Sequence, residues 1–266
     1  MKVLFLGDVV GRSGREAIAK NLKNIQQENK IDFTIVNGEN AAGGFGITED
    51  ICRAFYTSGV DVITTGNHLW DQKEIANYID KDHQLLKPYN SPEGTPGVGF
   101  NTYNTKQNKK IVVINLLGNV FMKPVDNPFL KIDEILKKID QDDKVEFIFV
   151  DFHAEATSEK VAMGHYLDGK VTAVIGTHQH IPTADTCILQ KGTAYQTDAG
   201  MCGDYNSVIG MEKGPIIKKF LGEETKNRFT PSLGEATICG VIVESGTDNY
   251  LAKSIVPIRI NGVIGI

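Results

Sequence analysis

The chain has 266 residues, 41% of them hydrophobic and 23% charged, with a formal net charge of −5. That length and apolar content allow a substantial core, read here as one domain spanning residues 1–266. The acidic balance lacks the basic footprint of a protein that grips long nucleic acid by its phosphates, so no stable nucleic-acid complex is expected. A small anionic substrate stays open, because bound metals can supply local positive charge.

Taken in chain order, the first apolar run, Val3 to Leu6, is cut short by Asp8 before a signal-peptide core can form. No segment approaches the ~20 apolar residues that span a bilayer, so no membrane association is expected and a cytoplasmic location follows by elimination. Cys52, Cys187, Cys202 and Cys239 lie far apart, without a C-x-x-C pair, and read as free thiols in a reducing compartment.

Short runs rich in Val, Ile, Phe and Thr, bounded by glycine or polar residues, predict buried strands at 3–6, 33–36, 60–64, 111–115, 147–152, 173–175 and 194–197. Glu16 to Lys30 carries Ile18, Leu22 and Ile25 at helical spacing. Ser13 with Glu16, and Asp71 with Glu74, have the spacing of capping boxes that open helices. Strands alternating with helices predict an α/β architecture with a largely parallel first sheet. From Pro88 to Lys109 proline, glycine and asparagine predict turns and a hairpin. A second loosely patterned stretch, 221–235, precedes a strand-like run at 236–244. Beyond Gly176 strands follow one another with little helix between them, which predicts a second, mixed sheet built by the C-terminal part.

The informative pattern is where metal-binding residue types fall. Asp8 follows VLFLG, Glu39 and Asn40 follow FTIVNG, Asn67 and His68 follow VITTG, His153 follows FIFVDF, and His178 and His180 follow AVIGT. All five groups sit just past a predicted strand, the edge of an α/β sheet where loops converge on ligands. Carboxylate, carboxamide and imidazole donors suit borderline metals such as iron, manganese or zinc. They exceed the needs of one ion but fit two that share a bridging carboxylate, for which Glu39 is the natural choice. Two ions about 3.5 to 4 Å apart can hold a hydroxide, orient a phosphate for in-line attack and neutralise the developing charge. His68 is the candidate proton donor to the leaving oxygen.

Each residue alone has an ordinary explanation. An Asp after a first strand contacts ribose or caps a helix in many α/β proteins, Glu39 and Asn40 could form a turn, and a lone His153 could be a packed core histidine. His83, His165 and the cysteines read as surface or packing residues, Trp70 and Asp71 as packing and helix capping, and Gly43, Gly44 and Gly46 as a flexible loop. Arg12 or Arg15 could contact a phosphate or simply sit at a solvated helix start. The glycines of GDVVGRSGR do not have dinucleotide-binding spacing.

The motifs GDVVG, NGEN, TGNHLWD, DFHAEATSE and GTHQH together resemble the calcineurin-like metallophosphoesterases, and nearly the whole chain, through SPEGTPG and KGTAYQTDAGM, resembles the YmdB-type branch. Val10 stands where the wider superfamily has a histidine, and Glu39 where it has a bridging aspartate; both departures are similar to that branch. The resemblance implies a sandwich of two mixed β-sheets flanked by helices. It places Asp8, Glu39, Asn40 and His180 on one ion and Glu39, Asn67, His153 and His178 on the other. It further implies iron as the metal and cyclic nucleotides, 2',3'-cyclic AMP in particular, as substrates. Phosphomonoester hydrolysis on the same metal core, or a metal- and nucleotide-binding regulatory protein with incidental catalysis, are the alternatives, and homo-oligomerisation is left open.

Overall fold

The computed structural model describes residues 1–139, 145–225, 229–247 and 249–265. Its first sheet grows from three parallel strands, β1 (Lys2–Leu6), β3 (Phe33–Asn37) and β4 (Val62–Thr64). The short β2 (Asp8–Val9) and β11 (Met201–Asp204), followed by β12 (Ala236–Ser245), complete the order β2-β11-β12-β1-β3-β4. A last strand, β13 (Ala252–Ile260), also pairs with β12. The second sheet runs β5-β6-β7-β8-β10-β9, with β5 (Phe100–Asn104), β6 (Lys110–Leu117), β7 (Val145–His153), β8 (Ala173–Thr177), β9 (Cys187–Ile188) and β10 (Ala194–Gln196). Strands β6, β7, β8 and β10 are parallel, and β5 and β9 close the two edges antiparallel.

Side-chain alternation along the strands decides the layering. Val3 and Phe5 of β1 face the second sheet and pack with Ile111, Phe147 and Phe149; the Phe5 and Phe149 ring centroids are 4.8 Å apart. Leu4 and Leu6 face the other way, onto Ile18, Leu22 and Ile25 of α1 (Gly11–Asn29) and Phe55 of α2 (Glu49–Ser58). On the far side, Val112, Ile114, Val150 and Phe152 meet Ile132 and Ile135 of α3 (Pro128–Ile139) and Met163 of α4 (Thr157–Tyr166). The result is a helix–sheet–sheet–helix stack in which strands buried on both faces are largely apolar, as the short runs require. Among the described residues no helix is long and apolar enough to cross a membrane.

The predicted strands are all present, and the hairpin expected in 88–109 is formed by β5 and β6. Three readings need correction. The C-terminal part does not build the second sheet by itself. That sheet starts at β5, and residues past Gly176 divide, β9 and β10 extending it while β11, β12 and β13 complete the first. β12 is buried almost throughout, so it requires a central place and takes the open edge of β1. Neither capping box forms. α1 already begins at Gly11, and its Ser13 hydroxyl donates to the Ser232 carbonyl while Glu16 pairs with Arg12. The segment after His68 breaks into short 3-10 turns at Leu69–Asp71, Lys73–Asn77 and Ile79–Lys81, and Asp71 turns back to His68.

Candidate metal centre

Parallel strands in both sheets deliver their C-terminal ends to one edge, and the residues singled out at those ends meet there. His153, the last residue of β7, is the hub: its Nε2 lies 3.0 Å from Asn67 Oδ1, 3.1 Å from Glu39 Oε1 and 3.0 Å from His178 Nδ1. Glu39, His153 and His178 each offer a ligand atom within 4.8 Å of the others. Asp8 accepts the His178 backbone N–H at 3.2 Å, and its Oδ1 lies 3.9 Å from His180 Nε2. Asn40 lines the same cavity as Glu39, His178 and His180. So close a gathering needs room beside it: a Cβ on Gly66 would strike Glu39 Oε2 and His153 Nε2, so only glycine fits there.

The buried oxygens Asp8 Oδ1, Glu39 Oε1 and Asn40 Oδ1 have no hydrogen-bond partner. Orphaned acceptors are costly in a protein interior, and three of them converging with imidazole nitrogens form a cradle fitted to a cation. The other ends of the same side chains are tied down. Asn40 Nδ2 donates to the Gly44 carbonyl at 3.0 Å, so its oxygen is the atom left over. His180 Nδ1 lies 2.9 Å from the Ile209 carbonyl and His153 Nδ1 2.9 Å from Thr177 Oγ1, which leaves Nε2 of each as the nitrogen turned toward the other donors.

Electrostatics follow from burial and from these contacts. Burial holds the Asp8 carboxyl above the ordinary range against the pull of His180 and His153. For Glu39 burial acts in the same sense, but the charge of His153, whose Nε2 lies 3.1 Å away, draws it down to about 2. Burial opposes protonation of His153, yet Glu39 and then Asp8 lift its pKa to about 9. Burial and the neighbouring His153 push His178 down to about 3.

Two loops beside the centre have defined conformations. His178 and His180 both adopt left-handed φ, 104° and 65°, so they lie on a tight turn after β8. Asp198 fixes that turn: its Oδ2 accepts Gln179 N–H at 3.0 Å and the Lys160 ammonium at 2.8 Å, the Lys160 and Asp198 side chains being almost wholly buried. The 43–46 loop is likewise set, not slack, with Gly44 at φ +87° and a Cβ there colliding with Met211. Arg15 donates to the Ala41 carbonyl at 2.9 Å, bracing this loop, and Arg12 is occupied by Glu16. His83 and His165 are exposed and away from the site.

Further contacts, some from residues not singled out from the sequence, complete the surroundings. His68 donates its backbone N–H to Glu39 Oε2 at 3.0 Å, and its Nδ1 lies 2.8 Å from Asp71 Oδ2. His178 Nε2 is 2.9 Å from Glu155 Oε2. Beneath the centre, Asp151 accepts from Thr177 Oγ1 at 2.6 Å, from Asn37 Nδ2 at 2.9 Å and from Thr64 Oγ1, joining β7 and β8 to β3 and β4 across the two sheets. Burial lifts this carboxyl to about 6 against His153 and its three donors.

Facing sheets with helices outside and a nitrogen–oxygen donor set at one strand edge define the metallophosphoesterase fold. A solved phosphatase of Mycoplasma pneumoniae shares it with a TM-score of 0.90 and 35% identity, covering 98% of this chain and 93% of that one. A solved hypothetical protein of Thermus thermophilus does so with a TM-score of 0.89 and 38% identity, covering 97% of this chain and 98% of that one. The chain belongs to the YmdB-like protein family, whose sequence profile it matches over residues 4–258. It is 48% identical over 261 residues to the 2',3'-cyclic-nucleotide 2'-phosphodiesterase of Bacillus subtilis strain 168, covering 98% of this chain and 97% of the relative.

Proposed function

We propose that this protein hydrolyses small phosphodiesters, 2',3'-cyclic nucleotides foremost, as a single-domain enzyme with two metal ions. The observation that carries this reading is the set of three orphaned buried oxygens on Asp8, Glu39 and Asn40, converging with imidazole nitrogens. Asp8, Glu39, Asn40 and His180 would hold one ion, and Glu39, Asn67, His153 and His178 the other. Their mixture of oxygen and nitrogen donors without sulfur supports iron, with manganese or zinc as substitutes. Bound there, the ions would polarise a phosphate and neutralise the charge that builds on its oxygens.

The remaining work falls to the chain. Asp71 holds His68 Nδ1, which leaves Nε2 as the nitrogen that gives a proton to the leaving oxygen in the cavity that His68 lines. Thr177 and Asp151 fix the His153 ring, and Asp198 fixes the turn that carries His178 and His180. The relative's 2',3'-cyclic-nucleotide activity supports the substrate class. Similarity to a solved phosphatase keeps monoester hydrolysis as a second reading. Elemental analysis after metal reconstitution, coupled to hydrolysis of 2',3'-cyclic AMP and of bis-aryl and mono-aryl phosphates, tests both. About two metals per chain with diester turnover is expected; less than one metal and no hydrolysis of any ester overturns the proposal.

A further inference from the structure

A cavity of about 500 Å³ opens directly onto the candidate metal centre, with Glu39, Asn40, His68, His178 and His180 in its lining. The rest of the lining changes character. Phe45, Ile209, Met211, Ile216, Phe220 and Phe229 make most of it apolar, and three of these six are aromatic. Helix α5 (Lys213–Phe220) contributes Ile216, which is buried, and ends on Phe220, which is 84% exposed. So exposed an aromatic ring at the mouth of an apolar cavity leaves hydrophobic stabilisation unrealised until a ligand covers it. Ile209 ties the two halves together. It sits at φ +46°, a strained conformation for a β-branched residue, with its carbonyl against His180 Nδ1 and its side chain in the apolar lining.

We propose that this apolar wall is a nucleobase subsite, in which the base of a nucleoside phosphodiester stacks on Phe220, flanked by Phe45 and Phe229, while its phosphate lies at the metal centre. The inference rests on the phosphodiesterase reading above and adds the part of the substrate that the metal donors do not touch. Size supports a mononucleotide: small-ligand cavities run to ~300–1,000 Å³, which suits a base and ribose but not a nucleic-acid strand. Selectivity follows from what the wall lacks. Among the described residues, none of its six side chains carries a hydrogen-bonding group. Of the polar neighbours, the Gln179 amide nitrogen donates to the Glu155 carbonyl and one Glu155 carboxylate oxygen lies against His178. Stacking without edge contacts favours large rings, so purines bind better than pyrimidines while adenine and guanine bind alike.

The test compares 2',3'-cyclic AMP with the 2,3-cyclic phosphate of methyl riboside, which has the same ester and no base. The wild-type KM for the nucleotide should be roughly 10-fold lower, and Phe220→Ala should close most of that gap, while Phe220→Trp restores it. Because Phe220 is a surface residue, its replacement leaves the fold intact; Phe45→Ala is the second variant. Calorimetric binding of adenosine 3'-phosphate against methyl riboside 3-phosphate to the metal-loaded chain reads the same ratio without turnover. Equal affinity for the two ligands in the wild type, or variants that weaken both equally, overturns the subsite. Base-dependent binding with no hydrolysis of any ester would instead overturn the enzymatic reading and leave the subsite standing.

Discussion

Asp8 and Asp151 are both wholly buried at the same edge of the sandwich, yet they are treated in opposite ways. Asp151 is surrounded by donors, with Thr64, Thr177 and Asn37 all turned toward its carboxylate. Asp8, on the upper tier, accepts one backbone N–H and keeps Oδ1 without a partner, as do Glu39 Oε1 and Asn40 Oδ1 beside it. A saturated carboxylate joins strands; an unsaturated one reserves its lone pairs for something else. The two tiers are linked through His153, whose Nδ1 reaches down to Thr177 and whose Nε2 reaches up among the orphaned acceptors. The lower tier therefore sets the geometry of the upper one.

The contrast can be broken at four points. The largest effect is expected from Glu39→Ala, which should empty the centre of both ions and abolish hydrolysis, read by elemental analysis and an ester panel; retained metal would remove Glu39 from the bridging position. Next, His68→Ala should keep a full complement of metal and lose on the order of 10²–10⁴-fold in turnover, most for esters with poor leaving groups. A metal-empty His68 variant would place that residue among the ligands instead. Asp151→Ala should destabilise the metal-free chain by about 3 kcal/mol, since it strands three buried donors, and urea unfolding would register the change. The smallest and most telling effect has the opposite sign. Asp8→Asn should stabilise the metal-free chain by about 1 kcal/mol, because it replaces a buried carboxylate whose Oδ1 has no hydrogen-bond partner, while it weakens metal binding. A stability loss from Asp8→Asn as large as that from Asp151→Ala would erase the distinction between the tiers.

The upper tier is legible in the sequence because its residues lie where apolar runs end, and a run's end is visible without knowing its neighbours. The lower tier is much less so. Asp151 stands inside FIFVDFH, where a carboxylate in an apolar strand is itself a clue, but its partners come from β3, β4 and β8 and depend on how two sheets face each other. Asp71 reads as a cap because its spacing to Glu74 matches one; three residues before it stands His68, whose Nδ1 lies 2.8 Å from the Asp71 carboxylate. The buried Lys160–Asp198 pair is invisible for another reason: Asp198 follows the run at 194–197, but nothing local shows that a lysine of α4 reaches it. The division of the C-terminal strands between sheets escapes a sequence reading because local pattern marks a strand as central without saying which edge awaits it. The fold class, by contrast, needs only the alternation of elements.

The placement of β12 bears on how such a protein is made. β1 leaves the ribosome well before its antiparallel neighbour, which ends at Ser245, and the ligand candidates stretch from Asp8 to His180. The early strands must therefore wait, one edge of β1 exposed, until β12 has been synthesised. All of those candidates are thus made before the strand that covers β1.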